Sequence, residues 1–287
     1  MAKIKMAICY DFDGTLAPGN MQEYGFTEKV GYANPKDFWK KAAEIAQRQQ
    51  ADDILAYMQL MIRESKSKNI PFKREDFIEY GRGIKLFNGV ERWFDRISAY
   101  ARVKGVDLKH FIISSGLKEM IEGTGIASKF EKIYASCFMY DANGAAEWPA
   151  VALNYTTKTQ FIYRINKGVL DETDNKTINE YTPLKKRDIP FENMIYIGDG
   201  ETDIPCMKTV KISGGHSVAV YSPFKEDAKR KIEHLITDDR VNIIAAADYS
   251  EGTDIDRYIK AVIDKVAADS VLKEFEAKQT VSVDMTP

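Results

Sequence analysis

The chain reads as an α/β protein: a doubly wound parallel sheet with a helical lobe inserted into it. Three observations predict this. Four short apolar runs, Lys5–Tyr10, His110–Ile113, Met194–Ile197 and Ser217–Tyr221, are continuous rather than alternating, as strands buried on both faces are. Helical patterns separate them, and strand–helix–strand alternation implies parallel pairing with right-handed crossovers. The stretch between the first two runs is far too long for one crossover and carries three helical patterns of its own.

Lys5–Tyr10 opens the core and ends at an acidic turn. The next helices are expected over Pro35–Gln50, Asp52–Ser67 and Lys73–Gly81. In the second, Ile54, Leu55, Met58, Met61 and Ile62 recur at helical spacing, and Asn69-Ile70-Pro71 breaks the chain before the third. Their methionines and aromatics are expected to form the lobe's own small core. Asn88–Lys104, with Val90, Trp93, Phe94, Ile97, Tyr100 and Ala101 on one face, returns the chain to the sheet. Leu117–Gly123 and Ser222–His234 are further core helices, with hairpin-like segments between Leu117 and Thr157. A tail helix is expected over Asp254–Lys278, before a polar end. The layout is a core of residues 1–17 and 87–250, a helical cap of 18–86, and a C-terminal helix and polar tail of 251–287.

Composition narrows the function classes. Lys+Arg 41 against Asp+Glu 43 is nearly neutral, which argues against nucleic-acid or membrane-surface partners. No apolar run approaches the roughly 20 residues that span a bilayer. The start, MAKIKMAICYDFDG, lacks the apolar stretch and cleavage site of a secretory signal. Cys9, Cys137 and Cys206 form no CxxC pair and read as reduced thiols, so a cytoplasmic protein is expected. The sequence carries no signal for oligomeric state.

The strongest chemical signal is Asp11-Phe12-Asp13-Gly14-Thr15-Leu16, directly after the first strand. Carboxylates two apart at a strand end face the same way, and a glycine beside them permits a sharp turn and close approach to an anion. Paired acids suit a division of labour between nucleophile and proton donor. Ser114-Ser115-Gly116 leaves the second strand, where a hydroxyl and the backbone amides of a helix start can bind phosphate oxygens. Gly198-Asp199-Gly200-Glu201-Thr202-Asp203 places acids at a third strand end, oxygen ligands of the kind a hard cation needs. Lys158, opening a short helix with Phe161, Ile162 and Ile165, is the favoured counter-charge; Lys176, in a polar stretch, is the alternative.

These motifs, in this order, resemble those of the haloacid dehalogenase superfamily, whose fold is a Rossmann-like core and most of whose members are phosphohydrolases. The resemblance implies a Mg2+-dependent phosphatase acting on a small phosphorylated metabolite. It makes Asp11 the nucleophile and Asp13 the general acid/base. Mg2+ would be held by Asp11, the backbone carbonyl of Asp13, and Asp199. Ser114 would bind the phosphate, with Ser115 or Gly116 giving an amide. Lys158 would neutralise nucleophile and phosphate, and Asp203 would orient a water or Asp199, with Glu201 facing solvent. The gap from Lys158 to Asp199 is longer than usual in the family, with LDETDNKTINEYTP inserted.

The helical insertion between the first two motifs, and FEKIYASCFMYDANG after the second, resemble the phosphoserine phosphatase branch with its C1-type cap. Glu23, Arg48, Arg63 and Arg82 are the cap's candidate substrate contacts, and Pro18-Gly19 and Asn88-Gly89 the joints of a closing lid. A sugar phosphomutase or phosphotransferase, or a non-catalytic phosphate-binding relative, are the alternatives on this fold.

Overall fold

The computed structural model describes residues 4–284. Its first strand, β1 (Ile4–Tyr10), is followed by the helical segment: α1 (Phe26–Lys29), α2 (Pro35–Gln49), α3 (Asp53–Lys68) and α4 (Arg74–Arg82). Asn34 caps α2 by accepting from the Lys36 amide, with Pro35 preset at the first helical position. Asp52 caps α3 by accepting from the amides of Ile54 and Leu55. Then come α5 (Val90–Val103), β2 (Val106–Leu117), α6 (Lys118–Gly123), β3 (Lys132–Tyr140) and β4 (Ala146–Val151). The chain continues through α7 (Lys158–Lys167), β5 (Met194–Gly198), α8 (Ile204–Ile212) and β6 (His216–Tyr221). It ends with α9 (Ala228–Ile232), α10 (His234–Thr237), β7 (Ile243–Ala246) and α11 (Asp254–Asp284).

The sheet has seven strands in the order β4-β3-β2-β1-β5-β6-β7. All pairs are parallel except the β3–β4 hairpin at one edge. Three strands thus join the four the sequence predicts. The hairpin's outer strand is half wet and shows no continuous apolar run, whereas β7, Ile-Ile-Ala-Ala, does carry a short one outside the four predicted runs. Alternate residues of β1 face opposite ways. Met6, Ile8 and Tyr10 join the apolar layer under α5 and α11, while Ala7 and Cys9 join the layer with Phe161, Met207 and Val210 of α7 and α8. The predicted helix Ser222–His234 is shorter and broken, with α9 beginning only at Ala228. β2 runs through Leu117, the expected helix start, so α6 opens one residue later, and the pairing of β2 to β3 is shifted between Ser114 and Leu117. Helix α11 runs past Lys278 to Asp284; residues 285–287 of the expected polar end, and 1–3 at the start, lie outside the described residues.

The helices of residues 18–86 do not have a core of their own. Phe26, Phe38, Met58, Leu60 and Phe77 belong to one apolar cluster with Trp93, Phe94 and Ile112 of the sheet layer. The cause lies where α4 crosses α6. A side-chain carbon at Gly81 would lie 2.0 Å from the Met120 carbonyl oxygen, and one at Gly123 would lie 2.0 Å from that of Ile78. The two backbones touch through reciprocal glycines, which no larger residue would allow. The hairpin adds a second tie, with the Ala146 amide donating to the Phe72 carbonyl at 2.8 Å. Asn88-Gly89 is also unlike a free joint. Tyr249 donates its amide to the Asn88 carbonyl at 2.8 Å, and a side chain at Gly89 would meet the Ser250 nitrogen at 2.4 Å.

Candidate active site

The predicted site residues converge at the carboxyl ends of β1, β2 and β5. There β1 sits between strands that follow it in opposite directions, the place where open α/β sheets form their ligand crevice. Asp11 is the first residue past β1, and its amide donates to the Ile197 carbonyl at 2.9 Å, which fixes the loop to β5. Gly14 has φ +74°, and a side-chain carbon there would lie 1.9 Å from an oxygen of Asp199. The turn therefore needs glycine twice over, for its backbone and for the acid pressed against it.

Lys158 is fully buried, 3.2 Å from Asp11 Oδ1 and 2.8 Å from Asp203 Oδ1. The Asp203 oxygen also accepts from the Tyr196 hydroxyl at 2.7 Å. Asp203 thus bonds to Lys158 and Tyr196, and it holds the ammonium in place. Lys176 lies exposed on the inserted loop, and the ion pairs of Asp11 and Asp203 are made by Lys158. That loop is fastened by α7 itself: Arg164 donates to the carbonyls of Asp171, Glu172 and Asp174, and Lys167 to those of Ile178 and Glu180. One helix therefore presents Lys158 at its start and secures the insertion at its end. Glu201 faces solvent.

One carboxylate oxygen from each of Asp11, Asp199 and Asp203 lies within 4.8 Å of the others, an arrangement that could hold a metal ion. The charges are costly as they stand. Burial, with Asp203 nearby, raises the Asp11 pKa to about 6 against the pull of Lys158. Burial and Asp11 likewise raise Asp199 and Asp13 well above the carboxylate range. Lys158 goes up instead, because Asp11 and Asp203 outweigh its burial. Asp11 Oδ1 has its ion-pair contact with Lys158 but no hydrogen bond. Asp13 Oδ1 accepts from the Met21 amide at 3.0 Å.

Ser114 is buried at the end of β2, close enough to Asp11 to favour its ionised form. The Gly116 amide donates to the Ser114 hydroxyl at 3.1 Å, while the Ser115 hydroxyl is buried without a partner. All three residues line, with Asp11, Asp13 and Asp199, a cavity of about 440 Å³. The helical segment roofs it. Tyr57 of α3 donates to the Ser115 carbonyl at 2.8 Å, and Asn20, Gln22, Trp39 and Asp53 complete the wall.

The arginines proposed as substrate contacts are elsewhere. Arg48 and Arg63 line a separate groove between α2, α3 and β4, with Trp148. Arg82 pairs with Glu79 on the exposed side of α4. Glu23 accepts from Trp39 Nε1 at 3.1 Å and so acts on the cavity through that ring. Spacing along a helix does not say which of its polar flanks turns inward, and here the inward flanks carry Trp39 and Asp53.

Residues 8–208 match the haloacid dehalogenase-like hydrolase family. The chain belongs to that family. Its similarity to an uncharacterised protein of Borreliella burgdorferi is 29% identity, covering 88% of this chain and 95% of that one. Among solved folds, a substrate-bound phosphoserine phosphatase superposes with a TM-score of 0.54 at 16% identity, covering 90% of this chain and 99% of that one. A haloacid dehalogenase-family hydrolase from Salmonella enterica serovar Typhi gives 0.52 at 16% identity, over 78% of this chain; this chain spans only 64% of its length. No helix among the described residues is long and apolar enough to cross a membrane.

Proposed function

We propose that this haloacid dehalogenase-like hydrolase is a Mg2+-dependent phosphomonoesterase that works through an aspartyl-phosphate on Asp11. The observation that carries the reading is the fully buried Lys158 between Asp11 and Asp203, behind the Asp11 that lines a cavity together with Asp13, Ser114 and Asp199. The donor set fits the ion: hard carboxylate oxygens converge from β1 and β5, and burial together with the neighbouring acids raises the pKa values of Asp11 and Asp199. Asp11, the Asp13 carbonyl and Asp199 would hold Mg2+, with Asp203 kept by Lys158. When bound, the ion would supply charge neutralisation that lets an anionic nucleophile approach a phosphate dianion.

In the first step a carboxylate oxygen of Asp11 attacks phosphorus, the phosphorus–oxygen ester bond breaks, and Asp13 gives its proton to the departing alkoxide. The raised Asp13 pKa suits an acid that must hold a proton until then. In the second step Asp13 takes a proton from water, which attacks phosphorus and releases phosphate from Asp11. Ser114 in the lining and Lys158 behind Asp11 would offset the charge that the phosphoryl oxygens gather, so catalysis would be mainly positioning and electrostatic stabilisation. A phosphotransferase or phosphomutase would share the first step and differ in what enters for the second.

The test is hydrolysis of 4-nitrophenyl phosphate and a panel of phosphorylated metabolites, with Mg2+ and with chelator. Turnover should need the metal and vanish in Asp11→Asn, which should still fold. Wild-type turnover in Asp11→Asn, or full activity in chelator, would overturn the reading.

A further inference from the structure

The cavity carries information about the leaving group as well as the phosphate. Its roof is built by one face of α2 and the first turns of α3. Trp39, Ala42 and Ala43 recur at helical spacing, and Asp53, Ile54 and Tyr57 oppose them. Trp39 has its indole N–H engaged by Glu23 at 3.1 Å, and its ring meets that of Tyr57 with centroids 5.6 Å apart, so the indole is held in position at the wall. Asp53 is the first residue of α3, but the capping bonds of that helix belong to Asp52. The Asp53 carboxylate makes no hydrogen bond or ion pair among the described residues. Asp53 lines the cavity while exposed to solvent, whereas two other polar groups of the lining are buried without a partner, the Gln22 amide oxygen (Gln22 is 2% exposed) and the Ser115 hydroxyl.

Equally telling is what the roof lacks. No arginine or lysine of residues 18–86 lines the cavity; its one lining lysine, Lys225, comes from the core loop after β6. A leaving group bearing a carboxylate would face Asp53 with no cation from the roof to pair it. A polyol would set part of its hydroxyls against Ala42, Ala43, Ile54 and a Trp39 whose N–H is already engaged by Glu23, and those hydroxyls would go unpaired. A compact cation meets the opposite situation: a carboxylate with no protein partner, an aromatic ring in the lining, and an amide oxygen able to accept an ammonium N–H. The cavity, about 440 Å³, suits a small ligand.

We infer that the substrate is the phosphomonoester of a small amino alcohol, an ammonium-bearing leaving group without a carboxylate, recognised by Trp39, Asp53 and Gln22. This rests on the phosphatase reading above and specifies its leaving group. Phosphoethanolamine and phosphocholine share this chemistry, and they divide the roles of the two recognition elements. The amide oxygen of Gln22 favours a primary ammonium, and the Trp39 ring favours a methylated one.

The experiment measures kcat/KM of the full chain with Mg2+ on phosphoethanolamine, phosphocholine, L-phosphoserine, glycerol 3-phosphate, a nucleoside 5′-monophosphate and 4-nitrophenyl phosphate. One of the two amino-alcohol esters should exceed phosphoserine, glycerol phosphate and the nucleotide at least tenfold. Asp53→Asn should lower the ratio of that ester to 4-nitrophenyl phosphate about tenfold, with Asp53→Glu retaining part of it. Trp39→Leu should lower the same ratio, and Trp39→Phe should restore most of it. Choline should inhibit competitively, and better than its uncharged isostere 3,3-dimethyl-1-butanol. A preference for phosphoserine, glycerol phosphate or the nucleotide, or an unchanged ratio in Asp53→Asn, overturns the inference and leaves the phosphatase reading standing. Metal-dependent turnover of 4-nitrophenyl phosphate marks that case. No turnover of any ester overturns both.

Discussion

Lys158 is the residue whose loss should be felt most widely. Its ammonium is fully buried between two carboxylates, at 3.2 Å from Asp11 and 2.8 Å from Asp203. At an effective dielectric near 20 those distances correspond to about 5 and about 6 kcal/mol of gross attraction. Taking the three charges out of water offsets most of this, but truncating the lysine does not give that cost back. It leaves Asp203 buried with only the Tyr196 hydroxyl and a long contact from the Gly200 amide, and Asp11 without its cation. Breaking a buried pair from one side typically destabilises by about 3–5 kcal/mol. Lys158→Met should therefore lose about that much in urea unfolding with chelator present, or about 5–8 °C in melting temperature for a chain of this size. Adding Asp203→Asn to Lys158→Met should recover part of the loss, because the orphaned charge goes with its partner. Turnover should be lost in both. Unfolding of Lys158→Met at the wild-type urea concentration in chelator would refute the account of a charged, mutually compensating cluster.

Three further outcomes follow from other parts of the molecule. Asp13→Asn should slow hydrolysis of alkyl phosphates by about 10²–10⁴-fold and 4-nitrophenyl phosphate much less, since a good leaving group needs little protonation; equal losses on both would remove Asp13 from proton transfer. His110 is buried among Tyr10, Phe94 and Ser98, and burial lowers its pKa from 6.5 to about 3. The unfolded chain therefore binds a proton that the folded one refuses. The stability His110 contributes is complete above about pH 6.5 and drains as pH falls toward 3, by about 1.4 kcal/mol per unit at most. His110→Gln should flatten the stability profile across pH 4–6, and an unchanged slope would sink this. Gly81→Ala should destabilise by about 1–3 kcal/mol in chemical unfolding, because its new methyl meets the Met120 carbonyl. Gly83→Ala, whose nearest contact would be 3.4 Å away, is the control; equal effects would deny the close crossing of α4 and α6.

The parts of this protein legible in the sequence are those where chemistry and backbone make the same demand. DFDGTL must follow a buried strand and turn sharply, and GDGETD must bring acids to the neighbouring strand, so both announce themselves. Four central strands are legible because burial on both faces forbids polar residues. The edges are less so: β4 has one wet face, and the apolar run of β7 is half alanine, which serves a helix as readily as a strand. Lys158 could be read as favoured over Lys176 only from the helix it opens; what distinguishes the two is burial, which no local pattern encodes. Trp39 and Tyr57 were the least legible. An aromatic lining a cavity from a helix recurs at the same spacing as one filling a core, and only the packing of α2 and α3 over β2's end separates the cases. Arg48 and Arg63 mislead for the complementary reason. Their charge suggests a substrate contact, while the turn of each helix carries them to the groove beside Trp148.

The unbroken apolar layer from Phe38 through Phe77 to Trp93 bears on how such a protein can diversify. A lobe with its own core could be exchanged between relatives as a cassette, each half keeping its fold. Here excision would strip apolar side chains from the sheet layer and open the α4–α6 contact, so roof and base are inherited together. New specificity must come residue by residue, at positions such as Ala42, Ala43 and Asp53, where side chains face the cavity and the shared core is untouched. Two descendants of this chain could thus act on different esters while their backbones stayed nearly superimposable, and overall shape would be a poor guide to what each one cleaves.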